Sequence, residues 1–249
     1  MDTFPRPEPT FHVQQDAAEA TTETLIAGFS EFGLVGLTAA DYLVDHLEME
    51  QTGHVSTAEL PTITPFENGT PRHPIRLFTH QDRPLSVLVS ELFVPPAVAE
   101  PFSRALFEEF AQTELSDVAV MSGVPIPHGP EDHRTFYVAT EDYQRKRLAE
   151  VDVPPMGSGF VDGVNANLLS RAIDSSLAVG LFTTPAHAQA PDVDAALRLV
   201  ETITEVYDLD VDTEPLRSFA EEVQQYYADL AERMERVQEP ERAEDRMYM

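Results

Sequence analysis

Short runs of apolar residues alternate along this chain with longer segments in which apolar residues recur at every third or fourth position. The runs predict strands at residues 24–29, 54–60, 75–80, 85–92, 117–121 and 176–183. The periodic segments predict helices at residues 33–47, 96–114, 142–149, 162–174 and 191–207. Strands that helices cover on both faces read as continuous apolar runs. The pattern therefore predicts an α/β protein with three layers, α/β/α, and a mainly parallel central sheet.

The distribution of prolines, apolar residues and charges divides the chain into four segments. Residues 1–21 have mixed polarity and no period, which predicts a flexible N-terminal arm. The α/β/α core domain is predicted at residues 22–213, and one long helix at residues 214–238 follows it. Residues 239–249 are mostly polar and contain a proline, which predicts a flexible tail.

The predicted last helix carries a stripe of apolar residues at heptad spacing. The stripe consists of Leu216, Phe219, Val223, Tyr226 and Leu230. Two interpretations fit this pattern. In the first, the helix packs on its own domain; in the second, it packs against a second copy of the chain, and these five residues are the oligomer interface.

The charge of the chain excludes one class of partner. Asp and Glu number 44 against 16 Lys and Arg, which gives a formal net charge of -28 at pH 7. Nucleic-acid binding needs clustered basic residues that displace counterions from phosphates, whereas the arginines here are scattered and Lys146 is the only lysine. An acidic, lysine-poor surface suits a cytoplasm at molar salt, because ions screen its self-repulsion. We therefore expect a protein of a salt-accumulating halophile, with no nucleic-acid partner.

The residue patterns of several catalytic and cofactor sites are missing. The chain has no cysteine, which excludes disulfides, thiol catalysis, iron–sulfur clusters and cysteine-ligated zinc. Its histidines show no metal-ligand spacing, and no serine lies in a nucleophile elbow. No apolar run reaches the roughly 18 residues of a membrane span, and the N-terminus lacks the pattern of a signal peptide. The sequence therefore predicts a soluble cytoplasmic protein without catalytic residues, metal, cofactor or membrane partner.

Two glycine-containing turns are candidates for phosphate binding. Gly28, Gly33 and Gly36 follow a predicted strand, but the first spacing departs from the dinucleotide-binding fingerprint. We interpret these glycines as positions that let the strand and the next helix pack closely. In the second turn, at residues 156–167, the carboxylate of Asp162 disfavours an anion at the start of the following helix. A structural loop at a sheet edge or at a subunit contact is favoured there.

The last three residues, Met247, Tyr248 and Met249, have the chemistry of an anchor. Tyrosine has an amphipathic ring that suits a pocket. The methionine before it adds apolar surface, and a terminal carboxylate pairs with a lysine. By itself such an ending also arises by coincidence, so the motif needs support from the rest of the chain.

Three stretches together resemble the proteasome assembly chaperone type 2 family, over about residues 22–235. Residues 25–36 are similar to the family's G-F-P-G-x-G-x-x-G start, with Ser-Glu-Phe at 30–32 in place of its usual Pro-Gly-x. The second stretch is the turn and helix at residues 157–169. The third is the segment at residues 183–192 that leads into a long helix.

The resemblance implies a three-layer fold like that of nucleoside phosphorylases, without an established catalytic activity. It also implies a homo-oligomer, often a tetramer, built through helices such as residues 214–238. In archaeal members of the family a C-terminal hydrophobic-Tyr-any motif docks between α subunits of the 20S proteasome, where its carboxylate meets a lysine. Met247, Tyr248 and Met249 match that motif, so the resemblance predicts that they bind the partner.

The main hypothesis from the sequence is therefore a non-enzymatic proteasome assembly chaperone or activator. One alternative is an α/β enzyme that acts on a small metabolite in the crevice at the carboxyl ends of the strands. That crevice is expected near Gly28, Glu31, Glu91 and Gly157. Another is a family member whose tail has no partner. A convergent set of polar groups in a pocket would favour the enzyme.

Overall fold

The structure is a computed structural model that describes residues 10–15, 22–57, 60, 63–111, 113–126, 129, 132–187 and 190–238, with side chains up to Tyr226 in the last helix. The strands are β1 (Phe11–Gln15), β2 (Thr24–Phe29), β3 (Glu50–Thr57), β4 (Phe66–Glu67), β5 (Thr70–Pro71), β6 (Ile75–Thr79), β7 (Leu85–Ser90), β8 (Asp117–Val124), β9 (Phe136–Ala139) and β10 (Ala178–Pro185). The α-helices are α1 (Val35–His46), α2 (Ala99–Phe110), α3 (Glu141–Arg147), α4 (Gly163–Ile173), α5 (Val193–Tyr207) and α6 (Glu214–Gln238).

The main sheet has eight strands in the order β1-β3-β6-β7-β2-β8-β10-β9. The neighbours β7, β2, β8 and β10 run parallel, and each is buried along almost its whole length. Antiparallel strands extend the sheet on both sides, and β4 and β5 form a separate hairpin. The predicted α/β class is confirmed, and the parallel strands lie at the centre of a mixed sheet.

Helices cover both faces of the sheet. α1, α5 and the start of α6 pack on one face, and α2 and α4 pack on the other. Successive residues of a strand point to opposite faces, so Ile26 belongs to the first core and its neighbours Leu25 and Ala27 belong to the second. Among the described residues, no helix combines the length and the hydrophobicity needed to cross a lipid bilayer.

The strand β1 corrects the prediction of a flexible arm at residues 1–21. It pairs antiparallel with β3, and the ring of Phe11 is buried, edge-on to the ring of Phe102 at a centroid distance of 5.2 Å. The prediction is therefore wrong for residues 11–15. A strand of five residues, of which only Phe11 and Val13 are apolar, is too short to show a period, and its partner strand lies far away in sequence.

The glycines of the first turn hold α1 close to the sheet. A Cβ atom on Gly28 would lie 2.0 Å from the carbonyl oxygen of Gly36, and one on Gly36 would lie 2.1 Å from the carbonyl oxygen of Met121. Both distances are far inside van der Waals contact, so a side chain at either position would push the helix off the sheet. This confirms the interpretation of these glycines as packing positions.

Candidate functional site

The parallel strands end at a common edge, where they open into a cleft of about 570 Å³. The strands β3, β6 and β7, which follow β2 in the chain, lie on one side of β2, and the next strand, β8, lies on its other side. The cleft lies at this reversal, which is the usual ligand position in open α/β sheets. The residues that matter most in its lining are Glu31, Phe32, Phe93, Ser122, Phe160 and Asn165.

Three polar side chains meet inside the cleft. Ser122 Oγ donates to Glu31 Oε2 at 2.7 Å, and Asn165 Nδ2 donates to the same oxygen at 2.9 Å. Because a carboxylate oxygen only accepts, this contact fixes which way the amide of Asn165 points. Its Oδ1 atom is therefore turned away from Glu31, and it is buried without a hydrogen-bond partner in the part of the chain that the structure describes.

The carboxylate of Glu31 has no cationic partner within the described part of the chain. Both of its hydrogen bonds come from neutral donors and reach the same oxygen, Oε2. By contrast, Glu91 Oε1 lies 2.5 Å from Arg72 Nη1 and 3.1 Å from Arg76 Nη2. The cleft therefore contains a half-buried carboxylate that no described cationic side chain neutralises.

Exposed aromatic side chains surround the mouth of the cleft. Phe32 and Phe93 are more than half exposed, and Phe160 is fully exposed. Phe32 lies in a tight turn in which both Gly33 and Leu34 have positive φ, at 63° and 51°. A left-handed conformation is uncommon for a residue such as leucine, and strained turns of this kind cluster at ligand sites. The exposed rings of Phe32, Phe93 and Phe160 make the rim apolar, although the interior is acidic.

Of the four residues that the sequence places near a crevice, only Glu31 lines the cleft. Gly28 lies beneath α1, and Glu91 faces its two arginines. Gly157 lies in the loop before α4, where a Cβ atom would meet nothing within 4 Å. That loop is exposed, and its later residues, including Phe160 and Asp162, line the cleft.

Two of the polar residues in the cleft were not predicted. Ser122 comes directly after the predicted strand 117–121, so a polar residue at the carboxyl end of a parallel strand is a signal that identifies it. Asn165 lies between buried apolar residues on α4. Which face of α4 meets the cleft depends on how the helix packs, so the local sequence carries no comparable signal.

The structure describes four of the five side chains in the predicted oligomer interface. Leu216 is buried and packs in its own domain, as the first interpretation of the stripe requires. Phe219 is 53% exposed and Tyr226 is 65% exposed, and Val223 is half-buried. The side chain of Leu230 lies outside the described residues. The interface therefore stays a prediction, with its exposed part beginning at Phe219.

The predicted partner-binding residues Met247, Tyr248 and Met249 lie outside the described residues. Their role also stays a prediction. Within the ranges that the structure describes, no group of three or more histidine or carboxylate side chains is arranged to hold a metal ion.

Comparisons with known proteins agree with this architecture. The sequence profile of the PAC2 family matches residues 25–231. An uncharacterized protein of Methanocaldococcus jannaschii is 23% identical over 238 residues, which are 95% of this chain and 97% of that protein.

Two solved structures from Pyrococcus furiosus share the fold. PbaA, described as an archaeal homolog of proteasome-assembly chaperone, has a TM-score of 0.79 and 23% identity, over 96% of this chain and 100% of that chain. PbaB, described as an archaeal proteasome activator, has a TM-score of 0.73 and 17% identity, over 91% of this chain and 100% of that chain.

Proposed function

This chain belongs to the PAC2 family, and we propose that it is a non-enzymatic assembly chaperone or activator of the proteasome. The observation that carries the proposal is the family match over residues 25–231, which covers nearly the whole core domain. It confirms the family resemblance predicted from the sequence. PbaA, an archaeal homolog of proteasome-assembly chaperone, and PbaB, an archaeal proteasome activator, share the fold and support the same role here.

The docking element in this proposal is the tail, residues 239–249. Tyr248 inserts its ring into a pocket between two α subunits of the 20S proteasome. Met247 adds apolar burial beside it, and the carboxylate of Met249 pairs with a lysine of the ring. The tail follows α6, a helix of 25 residues that spans about 37 Å at 1.5 Å per residue. In the sequence, this long helix thus lies between the core domain and the docking residues.

Several tails on one oligomer make the docking strong enough. One tail buries little surface, and ordering it costs roughly 1–2 kcal/mol per fixed residue. Linked tails raise the effective concentration and gain commonly ~10²- to 10⁴-fold in avidity. The exposed rings of Phe219 and Tyr226 on α6 support a homo-oligomer, a tetramer by family resemblance, in which these residues meet a second copy.

High salt weakens only part of this interaction. At molar salt, charges more than about 3 Å apart at a surface are largely screened, so the carboxylate of Met249 contributes less than the apolar burial of Tyr248. Binding to the α ring therefore survives molar KCl, the condition that the net charge of -28 suits.

Co-purification tests the proposal. The full-length chain and a variant that lacks residues 247–249 are each mixed with α-subunit rings from the source organism in molar KCl. We expect the rings to retain the full-length chain and not the truncated chain. Arg242→Ala, in the same tail but outside the motif, is the matched control and is retained. Equal retention of the truncated chain, with its thermal unfolding unchanged, contradicts the proposal.

A further inference from the structure

The cleft has the chemistry of a separate ligand site, independent of the proposed binding to the proteasome. We propose that the cleft binds a small molecule that carries a protonated amine or guanidinium group on an apolar body. In this arrangement the cationic group contacts Glu31, and the apolar body lies against the phenylalanines of the rim.

Two acceptor atoms at the cleft, Asn165 Oδ1 and Glu31 Oε1, receive no hydrogen bond from the described residues. Asn165 is only 6% exposed, and its Oδ1 has no hydrogen-bond partner among the described residues. Buried polar atoms are almost always paired, because an unpaired one has lost its hydration without compensation. The Oε1 atom of Glu31 receives no hydrogen bond from any described residue either. A ligand N–H group that enters the cleft satisfies the open Oε1 atom of Glu31.

The charge inside the cleft selects a cation. Glu31 and Asp162 both line it, and no described arginine, lysine or histidine lies within ion-pair distance of Glu31. The helix α4 starts at the same place, and a helix N-terminus favours anions. Two carboxylates oppose that effect, so a phosphate or carboxylate ligand is disfavoured and an amine or guanidinium is favoured.

The rim accounts for the apolar part of the ligand. Phe32, Phe93 and Phe160 expose ring surface to solvent beside the acidic interior. Aromatic faces attract ammonium and guanidinium groups as well as apolar ones. The volume of about 570 Å³ lies in the usual range of small-molecule pockets.

Titration calorimetry with a matched pair of probes tests this proposal. The full-length chain, in the KCl concentration at which it is folded, is titrated with phenethylammonium and with 2-phenylethanol, its neutral analogue. We expect the amine to bind at least ~10-fold more tightly than the alcohol. Glu31→Gln keeps the shape of the side chain and removes the charge, and it weakens amine binding at least ~10-fold. Glu141→Gln, an exposed carboxylate on α3, leaves the affinity unchanged.

Three results overturn the proposal. They are equal affinities for the amine and the alcohol, an affinity that Glu31→Gln does not change, and no measurable binding of either probe. A capped Phe-Lys dipeptide presents the same ammonium group from a polypeptide. If only the dipeptide binds, the cleft recognises a protein chain, and the small-molecule proposal is wrong.

Two further measurements keep the result interpretable. If Glu31→Gln does not fold, the side-chain amide resonance of Asn165 in the unmodified chain provides the test: it shifts when the amine is added and does not shift with the alcohol. Retention of Glu31→Gln on α rings separates this proposal from the proposed function, because docking through the tail does not need the cleft.

Discussion

The two ends of the parallel strands surround a carboxylate in opposite ways. At the amino end, Asp117 opens β8 and is fully buried, and Arg147 donates to both of its oxygens at 2.9–3.2 Å. Thr24 donates to it as well, at 3.0 Å. At the carboxyl end, Glu31 follows β2, and among the described residues it has only two donors, both neutral. The two carboxylates therefore differ in their partners. Asp117 is bonded to a cation inside the protein and holds the fold, whereas Glu31 is open to the cleft.

Two tyrosine hydroxyls also pair with each other at the amino end of the strands. The hydroxyls of Tyr143 and Tyr207 share a hydrogen bond of 2.8 Å, and the guanidinium of Arg147 lies 4.7 Å from the centre of the Tyr207 ring. Burial raises the pKa of both phenols above the usual value, so neither ionises at neutral pH. The carboxylate of Asp117 and the hydroxyls of Tyr143 and Tyr207 thus all have partners inside the protein.

Removal of the carboxylate at the amino end gives the largest expected effect. Asp117→Ala leaves the guanidinium of Arg147 without its partner, and breaking a buried ion pair in this way costs about 3–5 kcal/mol. Denaturant unfolding in molar KCl measures the loss in the free energy of unfolding. Glu141→Ala, on the exposed side of α3, is the control and changes it little. A loss below about 1 kcal/mol for Asp117→Ala would mean that the pair is not structural.

Tyr143→Phe gives a smaller effect at the same end. It leaves the hydroxyl of Tyr207 without its hydrogen-bond partner, which costs about 1–3 kcal/mol. The matched change Tyr137→Phe affects a half-buried ring and costs less. Thermal unfolding of the two variants side by side ranks them, and the reverse order would contradict this account of the cluster.

A third carboxylate shows that the carboxyl end of the sheet is not itself the cause of an open site. Asp192 caps α5: its oxygens accept from the backbone amides of Ala195 and His187 and from the ring of His187, at 2.7–3.0 Å. Burial alone would raise the pKa of Asp192, but these hydrogen bonds outweigh burial and lower it. Unlike Glu31, it is fully partnered.

The lowered pKa of Asp192 predicts how stability depends on pH. A carboxyl group with a depressed folded-state pKa stabilises the protein above its unfolded value, about 3.9, and this contribution is lost as the pH falls through the folded value. Asp192→Ala removes the cap and costs about 0.5–2 kcal/mol at neutral pH. Its deficit relative to the unmodified chain should shrink below about pH 4. A deficit that stays constant from pH 7 to pH 3 would show that the charge contributes nothing.

Glu31→Gln gives the smallest effect on stability. The amide oxygen of glutamine still accepts from Ser122 and Asn165, and no ion pair is lost within the described residues. We expect the free energy of unfolding to change by less than about 0.5 kcal/mol, as for ordinary surface substitutions, while amine binding falls. If Glu31→Gln strongly lowers the free energy of unfolding, Glu31 stabilises the fold as Asp117 does, and this account of Glu31 is wrong.

Much of the fold was predictable because the signal is local. The central strands are buried on both faces, so β2 and β7 read as apolar runs whatever surrounds them. The short strands β1 and β9 gave no such signal. Each is stabilised by a partner strand 40 or so residues away, and four or five residues are too few to show alternation.

The site was predictable only in part, for a different reason. Glu31 and Glu91 both follow apolar strands, and the sequence treats them alike. In the folded chain Glu91 meets Arg72 and Arg76, and Glu31 turns into the cleft. The sequence predicts a crevice at this edge of the sheet, but which carboxylate is neutralised depends on residues that only the tertiary structure brings together. The charge of the cleft was therefore not evident from spacing.

The central claim is that the tail, rather than the cleft, docks this protein on the proteasome. Sedimentation velocity with purified α rings in molar KCl tests it on three proteins: the unmodified chain, Tyr248→Ala and Glu31→Gln. The account predicts that the unmodified chain and Glu31→Gln sediment with the rings and that Tyr248→Ala does not. Binding by Tyr248→Ala at the affinity of the unmodified chain, or loss of binding in Glu31→Gln alone, would contradict it.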